Sequence, residues 1–295
     1  MMNSVAYYLL LALFKCLGWL PMCLLYLLSD ILYVVLYHIV WYRRQVVRDN
    51  LLRVFPDKTP AERTAIAKGF YHALCDVIVE MLKMFSASAE EMHRRIRFAH
   101  PEIWNGLYVK GKMVMIVMSH YGNWEWLAST THTTMYPFVT LYHVLHNPVF
   151  ERLMRHLRTR FGTGVVSMKS FYRKLLSCMQ AQQPTAFGFV ADQAPKHQTD
   201  RQWTRFLNQD TQVYGGVEKM ARKYDFAVIY LSVRRIRRGY YIVEDTLVTD
   251  GGASTAPGEI TDRTMRLLEE DIYRAPQYWL WSHKRWKHVK TPDTT

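Results

Sequence analysis

Hydrophobic positions change their rhythm part-way along the chain. Ile66, Phe70, Ala73, Leu74, Val77, Ile78, Met81 and Leu82 follow the spacing of one helical face. Thr59 precedes Pro60, an N-cap followed by proline at the first helical position, so a helix is predicted from there to about Phe85. Ser88 opens another short helical or linking stretch, and Pro101 to Gly111 reads as a connection with a short helix. Beyond Gly111, unbroken apolar runs take over. Met113 to Met118 and Thr185 to Ala191 have the character of strands buried on both faces. Phe138 to Leu145, Gly164 to Met168, Ala227 to Arg234 and Tyr240 to Leu247 read as further strands. Helices are predicted between them: one capped by Asn147 and ending at Gly162, one from Ser170 to Gln182, one from Gly216 to Tyr224, and one from Thr261 to Tyr273. This alternation predicts an α/β fold with a mostly parallel sheet flanked by helices.

The first 42 residues follow neither rhythm. From Val5 to Tyr42 the only formal charges are Lys15 and Asp30. A bilayer span takes ~20 apolar residues, so Val5 to Leu28 suffices if Lys15 reaches the interface or faces protein. Alternatively, the segment forms two helices lying along the interface, hinged near Gly18 to Pro21. Tyr33, Tyr37, Trp41 and Tyr42 resemble an interfacial aromatic belt, and Arg43, Arg44, Arg48 and Arg53 follow at once. Basic residues beside an apolar span place that side in the cytoplasm. The expected organisation is a membrane anchor over 1–42 and a cytoplasmic-face domain over 43–295.

Charge sharpens this picture. The 295 residues carry a formal net charge of +13, which favours polyanionic neighbours: anionic headgroups, phosphorylated substrates or nucleic acid. Cys16, Cys23, Cys75 and Cys178 form no metal or disulfide spacing and read as buried reduced thiols. There is no H-E-x-x-H pattern and no glycine-rich phosphate loop, so no metal or cofactor is implied.

The candidate chemistry sits in "SHYGNWEW", Ser119 to Trp126, directly after the apolar run. Ligands of parallel sheets bind beyond the carboxyl ends of strands, where His120 stands. Gly122 permits a tight turn, Asn123 is a helix cap, and Glu125 falls in the first turn after it. A strand–turn–helix corner can bring Glu125 back towards His120, and an imidazole held by a carboxylate suits a general base. No G-x-S-x-G elbow exists, and Ser119 points away from His120 by strand alternation, which disfavours a serine hydrolase. Activation of a hydroxyl on a second substrate fits better. Asp192 and Gln193 end another strand, so Asp192 is expected to pair with an arginine or bind the acceptor.

The His-x4-Glu motif, in its His-Tyr-Gly-Asn-Trp-Glu form, resembles the late lipid A acyltransferases of lauroyl or myristoyl type, within the glycerolipid acyltransferases. "HNPVFERLMRHLRTRFG", "ADQ" and "PQYWLWSHKRWK" resemble the same family in order, together with the apolar N-terminus. The resemblance implies transfer of a fatty acyl chain from a thioester, usually on acyl carrier protein, to a hydroxyl of a lipid A precursor at the bacterial inner membrane. By position, His120 would be the base and Glu125 would orient and polarise it. Backbone amides at Gly122–Asn123 and an arginine would hold the oxyanion, with Arg158 first, then Arg160. Arg155 shares a face with Arg158 and is a further candidate for substrate phosphate. Asn123, Asp192, Gln193, His283 and Arg285 complete the expected substrate contacts. The Trp-rich C-terminal block reads as a membrane-interface strip in preference to a nucleic-acid strip. Lys284 stands where the family has arginine, and His143 also stands where an arginine is expected. Arg234, Arg235, Arg237 and Arg238 bracket a hairpin and are either contacts for headgroups or for the acidic carrier protein, or a solvated turn. Three alternatives remain: the same chemistry on another glycolipid, phospholipid or aminolipid; a non-catalytic basic membrane protein that binds anionic lipid or nucleic acid; and a thioesterase or lipase that uses the dyad to activate water.

Overall fold

The computed structural model describes residues 2–195 and 202–288. Its centre is a seven-stranded sheet in the order β1-β9-β8-β2-β5-β3-β4. The strands are β1 (Ile96–Phe98), β2 (Val114–Met118), β3 (Phe138–Tyr142), β4 (Gly164–Ser167), β5 (Ala186–Val190), β8 (Ala227–Arg237) and β9 (Tyr240–Thr249). All neighbouring pairs run parallel except the β8–β9 hairpin. A separate antiparallel hairpin, β6 (Gln202–Phe206) and β7 (Gln209–Val213), was not anticipated from the sequence.

β2 is buried along its whole length because helices cover both sheet faces. Its Met115 and Val117 join a core with Phe171, Leu175, Leu268 and Ile272, from α8 (Met168–Gln180) and α10 (Glu259–Arg274). Its Val114, Ile116 and Met118 join the opposite core with Met84, Trp104, Leu153 and Leu157. Those four come from α4 (Pro60–Met84), α6 (Pro101–Val109) and α7 (Pro148–Thr159). This two-sided burial is the reason for the continuous apolar run.

Thr59 caps α4 in a full capping box with Glu62, and Asn147 caps α7 by accepting from the amides of Val149 and Phe150. Two predicted starts shift. α8 begins at Met168, three residues before the residue after Ser170, with Ser167 at the cap position. α10 begins at Glu259, and the Thr261 hydroxyl instead donates to Glu218 at 2.5 Å. Three further helices, α3 (Arg44–Val54), α5 (Ala89–Arg95) and α9 (Gly216–Tyr224), fill the edges.

The N-terminal segment folds as two helices, α1 (Met2–Trp19) and α2 (Met22–Tyr33), interrupted at Leu20–Pro21. A π-helical turn, Val34–Ile39, continues α2. Met22–Ile39 is long and apolar enough to cross a membrane. Val5, Leu9, Leu13, Leu27 and Ile31 are exposed, whereas Leu25, Ser29 and Tyr33 of α2 are buried against the rest of the chain. Cys75 and Cys178 are buried as expected, but Cys16 and Cys23 are exposed on α1 and α2. Residues 289–295, most of the tail after Trp286, lie outside the described residues.

Candidate active site

The parallel register builds the site. Met118 of β2 lies opposite Val190 of β5. Two residues further along each strand, the chain reaches His120 and Asp192, so the two side chains emerge abreast at the carboxyl edge. Asp192 Oδ1 lies 2.8 Å from His120 Nδ1. Its Oδ2 accepts from the His120 backbone amide at 3.1 Å and from the Trp279 indole at 2.9 Å. The Asp192 side chain is 2% exposed and the imidazole 21%. The Gln193 amide nitrogen sits 3.4 Å from both ring nitrogens.

Burial alone would weaken the imidazole's hold on a proton. The Asp192 carboxylate outweighs that, with Glu125 adding to it and Arg158 opposing, so His120 is held above the ordinary histidine range. For Asp192, burial is outweighed by His120 and by the Trp279 and backbone donors, which keep the carboxyl below its usual range. With Nδ1–H donating to Asp192, the lone pair of a neutral His120 sits on Nε2.

The turn after His120 depends on Gly122, whose φ is +62°. A Cβ there would lie 2.0 Å from the Val233 carbonyl oxygen, so no other residue fits. The Gly122 amide donates to the Tyr278 carbonyl at 3.0 Å and is therefore not the oxyanion donor expected from the sequence. Asn123 caps a 3-10 turn, Trp124–Ser129, by accepting from the Trp126 amide at 3.1 Å. The Trp124 ring stands edge-on to the His120 ring at 5.2 Å.

Glu125 is aimed at α7. It takes Arg158 in a two-pronged pair, Nη2–Oε1 at 2.8 Å and Nε–Oε2 at 3.2 Å. Burial would lower the Arg158 pKa, but Glu125 outweighs it and holds the guanidinium above its ordinary range. The carboxylate hydrogen-bonded to His120 is thus Asp192, and Glu125 acts on the imidazole only through space. The reason is the register: β5 delivers a side chain level with His120, whereas the turn carries Glu125 onwards to α7.

Several expected substrate contacts are committed elsewhere. Asn123 is fully buried and donates to Glu80 at 2.6 Å. Arg160 donates to the carbonyls of Met84 and Ala87, both at 2.6 Å, and so closes the end of α4. Arg155 is half exposed and hydrogen-bonds the Tyr142 hydroxyl. His283 Nε2 accepts from the Ala194 amide at 3.1 Å, and burial pushes its pKa down to about 4. Arg285 is 2% exposed and donates to the Gln212 carbonyl at 2.9 Å. Its Nε and Nη2 have no hydrogen-bond partner among the described residues, and burial pushes its pKa down to about 10. The Trp-rich block is therefore no surface strip: Trp279, Trp281 and Trp286 are buried. Arg235 and Arg238 are no solvated turn either, since both pair with Asp76.

A narrow apolar cavity lies behind Ser119 and Asp192, lined by Val117, Val213, Val217 and Leu268, and is too small as it stands for a fatty chain. Ser119 faces this cavity, on the opposite side of β2 from His120. Among the described residues, no group of three or more His, Cys, Asp or Glu side chains converges to hold a metal ion.

A base-like histidine and an ion-paired arginine at the edge of a parallel sheet carry no nucleophile of their own. The family model for bacterial lipid A biosynthesis acyltransferases matches residues 1–288, nearly the whole chain. The chain belongs to that family. No curated protein matches it. Membership makes the protein an acyltransferase, with an acyl donor and a lipid acceptor. The acyltransferase carries two groups that sequence reasoning missed or misread. Trp279, read as a membrane contact, steadies Asp192, and Glu80, unnoticed, holds Asn123. Glu80 had a signal: a charged residue on the helical stripe of Ala73, Val77 and Met84.

Proposed function

We propose that this acyltransferase moves a fatty acyl chain from an acyl thioester, carried by acyl carrier protein, to a hydroxyl of a lipid A precursor, with His120 as general base. The observation that carries the reading is the His120–Asp192 contact, which leaves Nε2 as the basic nitrogen of a partly exposed imidazole. The acceptor hydroxyl gives its proton to Nε2 as its oxygen attacks the thioester carbonyl. The carbonyl becomes a tetrahedral oxyanion. Collapse breaks the carbon–sulfur bond, forms the ester, and the imidazolium returns the proton to the leaving thiolate.

Asp192 holds the ring and stabilises the imidazolium. Arg158, fixed by Glu125 on a rigid helix, is the candidate donor for the oxyanion, a role that depends on preorganisation. Gln193 is close enough to contact the acceptor beside His120. The exposed apolar faces of α1 and α2, followed by Arg43 and Arg44, support residues 1–42 as an anchor in the bacterial inner membrane, with the site on the cytoplasmic side.

The test is a transfer assay on detergent-solubilised full-length protein, offering labelled acyl carrier protein thioester or acyl-coenzyme A, and tetra-acylated lipid A precursor or a phospholipid. Wild type should yield a heavier lipid from the carrier-protein thioester and the precursor. His120→Ala should lose ~10²–10⁴-fold in rate. Release of free fatty acid without a new ester would make the protein a thioesterase, and an active His120→Ala would remove His120 as the base.

A further inference from the structure

One buried carboxyl group has no part in the reaction as drawn. Glu80 lies near the end of α4 and is 0% exposed. Three donors converge on it. Oε2 accepts from Asn123 Nδ2 at 2.6 Å and from the Tyr241 hydroxyl at 2.8 Å. Oε1 accepts from the Tyr26 hydroxyl of α2 at 2.8 Å. The Glu80 backbone carbonyl takes a fourth donor, the Trp126 indole, at 2.9 Å.

These contacts bracket Glu125. Asn123 stands two residues before it and Trp126 one residue after, and both are fastened to Glu80. Asn123 has both ends of its amide in use, Nδ2 on Glu80 and Oδ1 on the Trp126 amide, which starts the turn carrying Glu125. Turning the Asn123 amide or removing its acceptor would release the cap, and Glu125 with its bound Arg158 would shift against His120. The Tyr26 bond joins α2 to the same carboxylate. One α4 turn earlier, Asp76 accepts from Ser29 of α2 at 2.7 Å and from Arg238, which also pairs with Asp30.

We infer that Glu80 is a positioning residue for the acyl transfer, holding the His120–Glu125 corner through Asn123 and tying that corner to the apolar helix α2. The inference rests on the reading of the corner proposed above. A misplacement of about 1 Å at a reacting centre costs ~10²-fold in rate, so the effect belongs in kcat with substrate binding spared.

The experiment is a polarity swap on the full-length protein, assayed with the donor–acceptor pair that wild type turns over. Assayed well on the alkaline side of the Glu80 titration, where the two groups share no proton, Asn123→Asp sets two carboxylates face to face, and kcat should fall ~10–100-fold with KM within about twofold. Glu80→Gln keeps an acceptor for the Asn123 amide and should stay within about threefold of wild type, the worth of one net hydrogen bond or less. The double variant restores a donor–acceptor pair and should recover most of the activity that Asn123→Asp loses. Rates are taken per folded molecule from thermal melts, because a purely structural loss lowers Tm and leaves kcat of the folded fraction unchanged. A double variant no better than Asn123→Asp, or an Asn123→Asp protein as active as wild type, overturns the inference. His120→Ala run beside them separates the two ideas: if it is active the corner itself is misread, and if it is inactive while Asn123→Asp is active only the role of Glu80 fails.

Discussion

An imidazole that gives one nitrogen to a carboxylate has a single nitrogen left for chemistry. In His120 that carboxylate is Asp192, and the consequence is a pH dependence with a definite sign. Asp192 favours the imidazolium and holds the His120 pKa up against burial. The base form therefore appears only above the ordinary histidine range, and kcat/KM should fall on the acid side of that raised value. Asp192→Asn removes the charge while burial remains, so the acid limb should move to lower pH and the plateau rate should drop ~10²–10⁴-fold. A pH series of kcat/KM on both proteins checks this, and an acid limb that stays in place would detach Asp192 from the titration. His120 and Glu125 stood out in the sequence because a polar cluster followed an apolar run. The pairing of His120 with Asp192, in place of the expected Glu125, did not, because two-residue offsets from separate strands become neighbours only once the register is known.

Elements were legible where one face or two were buried. β2 and β5 announced themselves because both faces meet apolar helices. The β6–β7 hairpin did not, for its strands are mostly polar and its two-residue turn is Leu207–Asn208, both at positive φ. Asparagine is a usual residue there, whereas leucine hides the signal. α4 was visible as a helix, but Glu80 on its apolar stripe carries a consequence for stability. Burial pushes the Glu80 carboxyl up to about 7, against 4.5 for an unburied glutamate. Between those pH values the folded chain keeps a proton that the unfolded chain has released. Stability should therefore decline as pH rises through that window, by on the order of 3 kcal/mol from this group. Denaturant melts at several pH values should show a flatter decline for Glu80→Gln. Parallel curves for the two proteins would contradict it.

At the scale of the molecule, the net charge of +13 and the exposed apolar faces of α1 and α2 act together. Leu9 and Leu13 are exposed, whereas Leu25 is fully buried. Leu9→Glu with Leu13→Glu should therefore release the protein from vesicles of mixed neutral and anionic lipid while leaving its melting temperature within a few degrees. Leu25→Glu should instead unfold it, since an unpaired charge would enter the core. Vesicle flotation and thermal melts read both, and undiminished flotation of the Leu9/Leu13 variant would show that this face is not what meets the lipid. The apolar character of residues 1–42 was plain in the sequence. Their seating was not, because it is made by distant polar groups, Asp76 and Arg238, that look unremarkable one at a time.

The step of two residues beyond the Met118–Val190 pair has one more consequence. The spacing of His120 and Asp192 is set by the gap between neighbouring strands, about 4.8 Å, and by no loop. Connecting segments at that edge can lengthen, shorten or change composition while the proton-handling pair keeps its separation. Under the proposed chemistry, selectivity for one lipid over another can then drift through the loops while the His120–Asp192 pair stays in place, and a graft that retargets the enzyme need not rebuild that pair.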